Sequence, residues 1–415
     1  MKIAMLEGLA PTSILLDEKE LNSAQETLAT NQLPTTRMEA WKYTRVAKLG
    51  KTKYVLSEDD TVSSIDTYKI SSSATTFVFV NGHFSEELSS DEIPEGVSIS
   101  PLSACMEGEI DSTNLVLEGE LFNALNTAFL TDGILIDVDA KTTLEQPIQI
   151  LHILKGEASL SNFKTIIHAG DFSKAEIIQG FFAEDADKAF ANVTSEIRIG
   201  QNAFLTINKV QYEAENTSHI STEQVDQGKD STFTINTITL NGGLVRNNLN
   251  IAVIGENCTT NLNGAYLLKG KQHIDNHTVV DHKVPNCNSN ELYKGVIDES
   301  ATAVFNGKVF VRKDAQKINA FQSNGNVLMS DNASVNSKPE LEIYADDVKC
   351  SHGSTTGQLD EEAVFYLRAR GLSEKSARKL MVSAFIGDVL DKIENEDVLN
   401  FTHKLLKDRF AWDFE

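Results

Sequence analysis

Short runs of strand-forming residues dominate the chain between residues 75 and 350. Runs such as "GILIDV", "SEIRIG", "STFTINTITL" and "LNIAVIG" are rich in Val, Ile and Thr, and turns with Asn, Gly or Asp separate them. Prolines are few, and no helical pattern interrupts these runs. About 270 residues of short strands are too many for one sandwich, so a parallel β-helix or two tandem sandwiches would fit. Strand lengths and "NG"-type corners favour the β-helix, although no repeat of fixed length is visible.

Helical patterns flank the strand-rich region on both sides. The predicted helices span residues 16–31, 359–371, 373–393 and 395–410. The sequence therefore predicts a mainly β protein with a mostly helical N-terminal domain (1–73), a β-helix core (74–350) and a C-terminal helical domain (351–415). Because a β-helix has open ends, we expect the helical domains to cover them.

The charge and the cysteines restrict the classes of partner. The net charge of −23 argues against binding nucleic acid or an anionic membrane through a basic patch. The first 20 residues lack the features of a secretory signal, and no apolar run is long enough to span a membrane. The four cysteines, Cys105, Cys258, Cys287 and Cys350, are widely scattered. This spacing indicates a reduced, cytoplasmic protein rather than a disulfide framework.

Two enzyme classes find little support. "LGKTK" (49–53) contains Gly-Lys-Thr, but the first glycine of a phosphate-binding loop would fall at Arg45, so we expect no intrinsic NTPase activity. The pair Asp346–Asp347 could indicate a β-helix enzyme that acts on polysaccharides. Neighbouring positions on a strand point to opposite faces, however, so the two carboxylates would not converge on one bond. That function stays an alternative.

One stretch is rich in metal-binding residue types. "HIDNHTVVDHKVPNC" contains His273, His277, His282 and Cys287. On a strand His273 and His277 share a face, whereas His282 falls on the opposite one. Polar residues on a solenoid surface or at a dimer interface explain this stretch better than metal ligation does, because separated histidines more often find hydrogen-bond partners than ions; metal ligation stays open.

"CSH" (350–352) lies where strand patterns give way to helical ones. Positions i and i+2 of a strand point to the same face about 7 Å apart, so Cys350 and His352 could reach one ion. Two ligands do not fill a coordination shell of about four. The pair is therefore half a site, and a lone cysteine at a strand end is usually a small buried apolar residue, which is the alternative for Cys350.

A longer stretch carries a family resemblance. The segment from "NHTVVDHKVPNC" to "ARKLMVSAF" (276–385) closely resembles the SufB/SufD family of iron–sulfur cluster assembly scaffolds. "RMEAWKYTRV" (37–46) resembles the amino-terminal motif of the SufD branch. SufB-type chains have a further cysteine before their last strands, whereas this chain has none between Cys287 and Cys350. The resemblance therefore points to the SufD branch.

The resemblance implies a right-handed parallel β-helix and a non-enzymatic scaffold role. It implies that His352 contributes to a transient iron–sulfur cluster shared with a SufB-like subunit, with Cys350, which matches a recurrent family cysteine, as a second candidate ligand and no cluster bound tightly by the isolated chain. It also implies a pseudo-two-fold heterodimer with that subunit and a SufC-type ABC ATPase on the C-terminal helices. A homodimer is possible, and a purely structural, dimer-stabilising subunit is a further alternative.

The predicted helix at 373–393 offers a docking surface. Leu380, Met381, Ala384 and Phe385 form an apolar stripe that is wider than one short helix needs to bury. We expect this stripe to bind the ATPase, although packing against the helix at 395–410 would also explain it.

Overall fold

The computed structural model describes residues 4–12, 14, 18–57, 61–106, 110 and 120–410. Its main body is a parallel β-solenoid of about eight turns, which confirms the predicted mainly β, β-helical fold. The strands are β1 Thr75–Val80, β2 His83–Phe84, β3 Val97–Pro101, β4 Asp132–Val138, β5 Ile148–Glu157, β6 Leu160–Ala169, β7 Lys174–Asp187, β8 Phe190–Ile199, β9 Phe204–Tyr212, β10 Ser218–Gln227, β11 Thr232–Asn241, β12 Leu244–Val253, β13 Thr259–Leu268, β14 His273–His282, β15 Asn288–Ile297, β16 Thr302–Val311, β17 Ile318–Leu328, β18 Ser334–Ile343 and β19 Val348–Gln358. The helices are α1 Glu18–Thr30, α2 Leu121–Ala128, α3 Glu361–Ala369, α4 Glu374–Leu390 and α5 Glu396–Phe410.

Two sheets form the walls of the solenoid. The ten-stranded sheet has the order β19-β17-β15-β13-β11-β9-β7-β5-β1-β2, and the nine-stranded sheet has the order β18-β16-β14-β12-β10-β8-β6-β4-β3. Neighbouring strands are parallel, except that β2 and β3 run antiparallel to β1 and β4 and close the amino-terminal end. At the other end β18 and β19 are the last strands, and no further strand of the described chain pairs with them.

Stacked aliphatic side chains hold the turns together. Five residues at one register position of successive turns are buried inside the solenoid: Ile148, Ile177, Ile207, Ile235 and Leu262. Truncating one such side chain to alanine typically costs 2–5 kcal/mol, because the cavity it leaves cannot close. This stacking is the physical reason that the runs of Ile, Val and Leu form a solenoid.

The corners explain the predicted turn residues and the absence of a fixed repeat. Four corner residues at corresponding positions of successive turns have left-handed backbone with φ between 54° and 63°: Asn202, Asp230, Asn257 and Asn286. Asn and Asp tolerate this conformation better than most residues do. From β4 to β19 the length of a turn varies from 26 residues (Ser218 to Leu244) to 32 residues (Thr302 to Ser334), so the sequence carries no constant period.

The N-terminal segment packs on the outer face of the nine-stranded sheet up to Leu56, whereas Ile65, Tyr68 and Ile70 pack on the ten-stranded sheet. Among its described residues α1 is the only regular α-helix, in agreement with the prediction for residues 16–31, and most of the others up to Ala74 are irregular. Trp41 and Tyr54 pack with Phe122 of α2 against Phe190 of the sheet. Helix α2 itself corrects our expectation of an uninterrupted strand region. It has only eight residues, which is too short for its helical period to stand out.

The three predicted C-terminal helices are confirmed as α3, α4 and α5, but their position is not the expected one. Val382, Ile386 and Val389 of α4 are buried in one apolar cluster with Ala265 and Val296 on the outer face of the ten-stranded sheet. The helices therefore cover a sheet face rather than the end of the solenoid. Our expectation of a helical cap was wrong because these strands are apolar on both faces, and the outward face must also be buried.

None of the helices in the described ranges is both long enough and apolar enough to cross a membrane.

Candidate functional site

The carboxy-terminal end of the solenoid leaves two strand edges without partners. From Ser351 to Gln358 every residue of β19 is exposed, and no residue of β18 is buried. Three large apolar side chains nearby are also exposed, namely Phe321, Ile343 and Tyr344. Unpaired backbone groups beside exposed apolar side chains are typical of a surface that pairs with another chain.

Cys350 and His352 lie at this end, within β19. In the sheet they are next to the buried residues Ala320 and Gln322 of β17, so both are on the strand face that continues the solenoid interior. Cys350 is half-buried and packs against the core, and burial raises the pKa of its thiol. The imidazole of His352 is exposed.

This placement corrects one expectation. We expected His352 to follow the last strand, but β19 continues for six residues beyond it, to Gln358. The sequence "GSTTGQ" (353–358) resembles a loop because Gly, Ser and Thr are common in turns. Its backbone nevertheless pairs with β17 without a register shift. The predicted domain boundary between residues 350 and 351 falls inside this strand, and the division into three domains stays a prediction.

Polar side chains occupy the solenoid interior just below this end. The Ser354 hydroxyl donates to the Ser337 hydroxyl at 2.7 Å, and the Ser337 hydroxyl donates to Asn324 Oδ1 at 2.8 Å. Asn324 Nδ2 donates to the hydroxyl of Tyr266 at 2.9 Å. Sequence inspection missed this network. The signal was polar residues at the inward positions of otherwise alternating strands, such as Asn324 in "INAFQSNGNVL".

The three histidines of β14 have separate hydrogen-bond partners. His273 and His277 share one face of the strand and His282 lies on the other, as expected; the shared face points outward and His282 points inward. His273 Nε2 lies 2.9 Å from the hydroxyl of Thr44, and His277 Nε2 lies 2.9 Å from Asp275 Oδ1. His282 Nε2 lies 2.9 Å from a serine hydroxyl inside the solenoid. Because the Thr44 hydroxyl also donates to Asp275, His273 and His277 belong to one outward network, and only His282 is separate from it.

The outward cluster around Asp275 anchors the N-terminal segment. Asp275 Oδ2 accepts hydrogen bonds from Arg246 Nη1 at 2.6 Å and from the hydroxyl of Thr44 at 2.5 Å. The Arg246 guanidinium lies 3.8 Å from the centre of the Trp41 ring. Burial opposes ionisation of Asp275, but Arg246 and His277 keep its pKa well below the usual range. Trp41 and Thr44 belong to the "RMEAWKYTRV" motif, so this motif has a structural role in the fold.

The other residues considered for chemistry do not converge. Asp346 and Asp347 are exposed and lie in the turn between β18 and β19, not on a strand as we assumed. Cys287 is buried beside Cys258 at a corner of the solenoid. Within the described ranges, no group of three or more His, Cys, Asp or Glu side chains could hold a metal ion.

The predicted apolar stripe of α4 divides into two pairs. Leu380 and Ala384 are exposed, whereas Met381 and Phe385 are partly buried against the cluster beneath the helices. The Lys294 ammonium lies 4.6 Å from the centre of the Phe385 ring. Helix α3 adds two exposed aromatic side chains that the sequence reasoning overlooked, Phe365 and Tyr366. They directly follow the buried Val364, and each residue of an α-helix is turned by about 100° from the one before it. Both side chains therefore lie off the buried face of α3.

Comparisons with known proteins agree with this architecture. Residues 13–150 match the family model "SufBD protein N-terminal region", and residues 152–385 match "SUF system FeS cluster assembly, SufBD core domain". The chain is similar to an iron–sulfur cluster assembly SufBD family protein of Synechocystis sp., at 32% identity over 409 residues that cover 94% of this chain and 90% of that protein.

Two other relatives extend the match to a second bacterium and a plant. The iron–sulfur cluster assembly protein SufD of Escherichia coli is 28% identical over 369 residues, covering 88% of this chain and 86% of that protein. Protein ABCI7, chloroplastic, of Arabidopsis thaliana is 28% identical over 410 residues, which cover 94% of this chain and 85% of that protein. The resemblance predicted from the sequence is confirmed: the chain belongs to the SufBD family of iron–sulfur cluster assembly proteins.

Proposed function

We propose that this chain is a SufD-like scaffold subunit of a SufBCD-type complex that assembles nascent iron–sulfur clusters. The observation that carries the proposal is the position of His352, exposed at the unpaired end of the domain that matches the SufBD core. A SufB-like subunit would pair with this end and supply the missing ligands. The cluster is the product that the complex assembles, and the isolated chain binds none tightly.

His352 and Cys350 would contribute unequally to the shared site. A neutral imidazole offers a lone pair to iron at cytoplasmic pH. The thiolate is the form of cysteine that binds metals, and burial raises the pKa of Cys350, so its thiol keeps its proton. We therefore assign the main role to His352 and a secondary role to Cys350.

The partner ATPase would bind the C-terminal helices. Leu380 and Ala384 of α4, with Phe365 and Tyr366 of α3, present apolar surface that the core does not cover. A helix-rich surface with exposed aromatic side chains suits a SufC-type ABC ATPase that drives assembly. Met381 and Phe385 support α4 from below. On this proposal the chain itself is not an enzyme, acts in the cytoplasm, and binds neither nucleic acid nor membranes.

Co-purification tests the proposal directly. An affinity-tagged full-length chain, purified without oxygen from its own cells, should carry a SufB-like chain and a SufC-type ATPase, which mass spectrometry would identify. Cells that carry the untagged gene control for non-specific capture. Recovery of the tagged chain without either subunit, under conditions that preserve other complexes, would contradict the proposed function.

A further inference from the structure

One column of side chains inside the solenoid changes from aliphatic to polar towards the carboxy-terminal end. Successive strands of the ten-stranded sheet place six residues at one interior position: Ile207, Ile235, Leu262, Glu291, Gln322 and His352. The first three are aliphatic, as the core of a solenoid requires. The last three are polar. Glu291 and Gln322 are buried, and burying polar groups in an apolar interior costs free energy that needs compensation.

Hydrogen bonds fix Glu291 and Gln322 relative to each other. Gln322 Nε2 donates to Glu291 Oε2 at 2.6 Å, and the hydroxyl of Thr278 donates to the other carboxylate oxygen. Burial raises the pKa of Glu291 to about 7. Among the described residues no lysine or arginine forms an ion pair with it. The amide of Gln322 thus supplies part of the stabilisation that a cation would otherwise give.

This arrangement determines which way the Gln322 amide points. At a pH well above 7 the Glu291 carboxylate is ionised and only accepts hydrogen bonds, so the NH₂ group of Gln322 must face it. Its carbonyl oxygen Oε1 then points elsewhere, is buried, and has no hydrogen-bond partner. Such an unpaired buried acceptor is uncommon in folded proteins. The next residue along the column is His352.

We infer that Gln322 and Glu291 are positioning residues for His352. Neighbouring strands are about 4.8 Å apart, so an N–H of the imidazole can reach Gln322 Oε1. A histidine that donates one ring N–H to a carbonyl presents the other nitrogen as a lone pair, which is the usual arrangement behind a metal-binding histidine. Glu291 acts one step further back, because it prevents the Gln322 amide from turning over. The inference rests on the proposed role of His352.

The tautomer of His352 reports on this interaction without any cluster. Full-length protein labelled with ¹⁵N-histidine gives two-bond ¹H–¹⁵N spectra that separate the two neutral tautomers, and His352→Ala identifies the signal. At a pH well above 7, where Glu291 is ionised, we expect one tautomer in the wild type and a mixture close to that of free imidazole in Gln322→Met. Glu291→Gln should also give a mixture, because a glutamine there allows the Gln322 amide to turn over. Ser323→Ala, an exposed neighbour on the same strand, is the matched control and should match the wild type.

A second measurement connects the tautomer to cluster assembly. Loss of the group that hydrogen-bonds a metal-binding histidine typically lowers metal affinity or activity about 10- to 100-fold. Gln322→Met should therefore slow the appearance of cluster absorption about tenfold in the complex with the SufB-like chain. An unchanged single tautomer in both Gln322→Met and Glu291→Gln overturns the inference and leaves the proposed function standing. If Gln322→Met does not fold, Glu291→Gln alone decides. Normal assembly by His352→Ala would instead contradict the proposed function, whatever the tautomer.

Discussion

Replacing Phe365 with alanine should weaken binding of the SufC-type ATPase by about 30-fold without destabilising the chain. The Phe365 side chain is 71% exposed on α3. A phenylalanine side chain has about 200 Å² of surface, so about 140 Å² of Phe365 faces solvent. Covering this area completely would contribute about 3.5 kcal/mol at 25 cal/mol per Å². An interface realises part of that value, and about 2 kcal/mol corresponds to about a 30-fold change in Kd.

Isothermal titration of the full-length chain with the purified ATPase measures this change. Phe204→Ala is the matched control, because Phe204 is 51% exposed on β9, outside the C-terminal helices. Neither substitution should change the free energy of unfolding by more than about 0.5 kcal/mol, as is usual for exposed positions. The reasoning is refuted if Phe365→Ala binds within twofold of the wild type, or if Phe204→Ala weakens binding equally.

Three further results are expected. Arg246→Ala should lower the free energy of unfolding by about 3 kcal/mol and expose the N-terminal segment to trypsin, because it leaves Asp275 buried without its ion pair; wild-type protease resistance would contradict this. Burial lowers the pKa of His282 to about 4, whereas the unfolded value is near 6.5. Between these two values the unfolded state binds more protons, so the free energy of unfolding decreases as the pH is lowered. When the pH is lowered from 7.5 to 5, the free energy of unfolding of His282→Gln in urea titrations should therefore decrease by about 2 kcal/mol less than that of the wild type. Equal decreases would contradict this role of His282. Light scattering on the isolated chain should give about twice 45.6 kDa, because β18 and β19 offer unpaired edges; a strict monomer at high concentration would limit pairing to the SufB-like partner.

Much of the fold follows from local sequence. Alternation in the runs of Val, Ile and Thr predicts strands, and Asn or Asp at corners such as Asn257 predicts turns, because each reflects a preference of the residue itself. The helices at the carboxy-terminal end are predictable for the same reason. Their packing is not, because it depends on the outward apolar face of strands far away in the chain, including Ala265 and Val296. The short helix α2 was missed since eight residues carry little periodic signal.

The site was predictable only in part. The two-residue spacing of Cys350 and His352 indicates a shared face, but the solenoid end that exposes it is a product of the tertiary structure. The proposed contribution of Glu291 and Gln322 could not be read from the sequence, because these residues lie 61 and 30 positions before His352. The register of β15, β17 and β19 places all three in one column. The sequence did not show that Val382 and Ile386 form the buried face of α4, which leaves Met381 and Phe385 partly buried and Leu380 and Ala384 exposed; the docking role of the stripe stays a prediction.

The most direct test of the proposed function compares complexes purified without oxygen from cells that carry the wild type, His352→Ala or Ser351→Ala. Ser351 is the exposed neighbour on the opposite face of β19 and serves as the control. All three chains should keep their melting temperature and their partners. We predict that the wild-type and Ser351→Ala complexes contain iron, acid-labile sulfide and the visible absorption of a cluster, and that the His352→Ala complex lacks them. If His352→Ala complexes accumulate clusters at the normal rate, His352 takes no part in assembly, and the chain is a structural subunit that stabilises its partners.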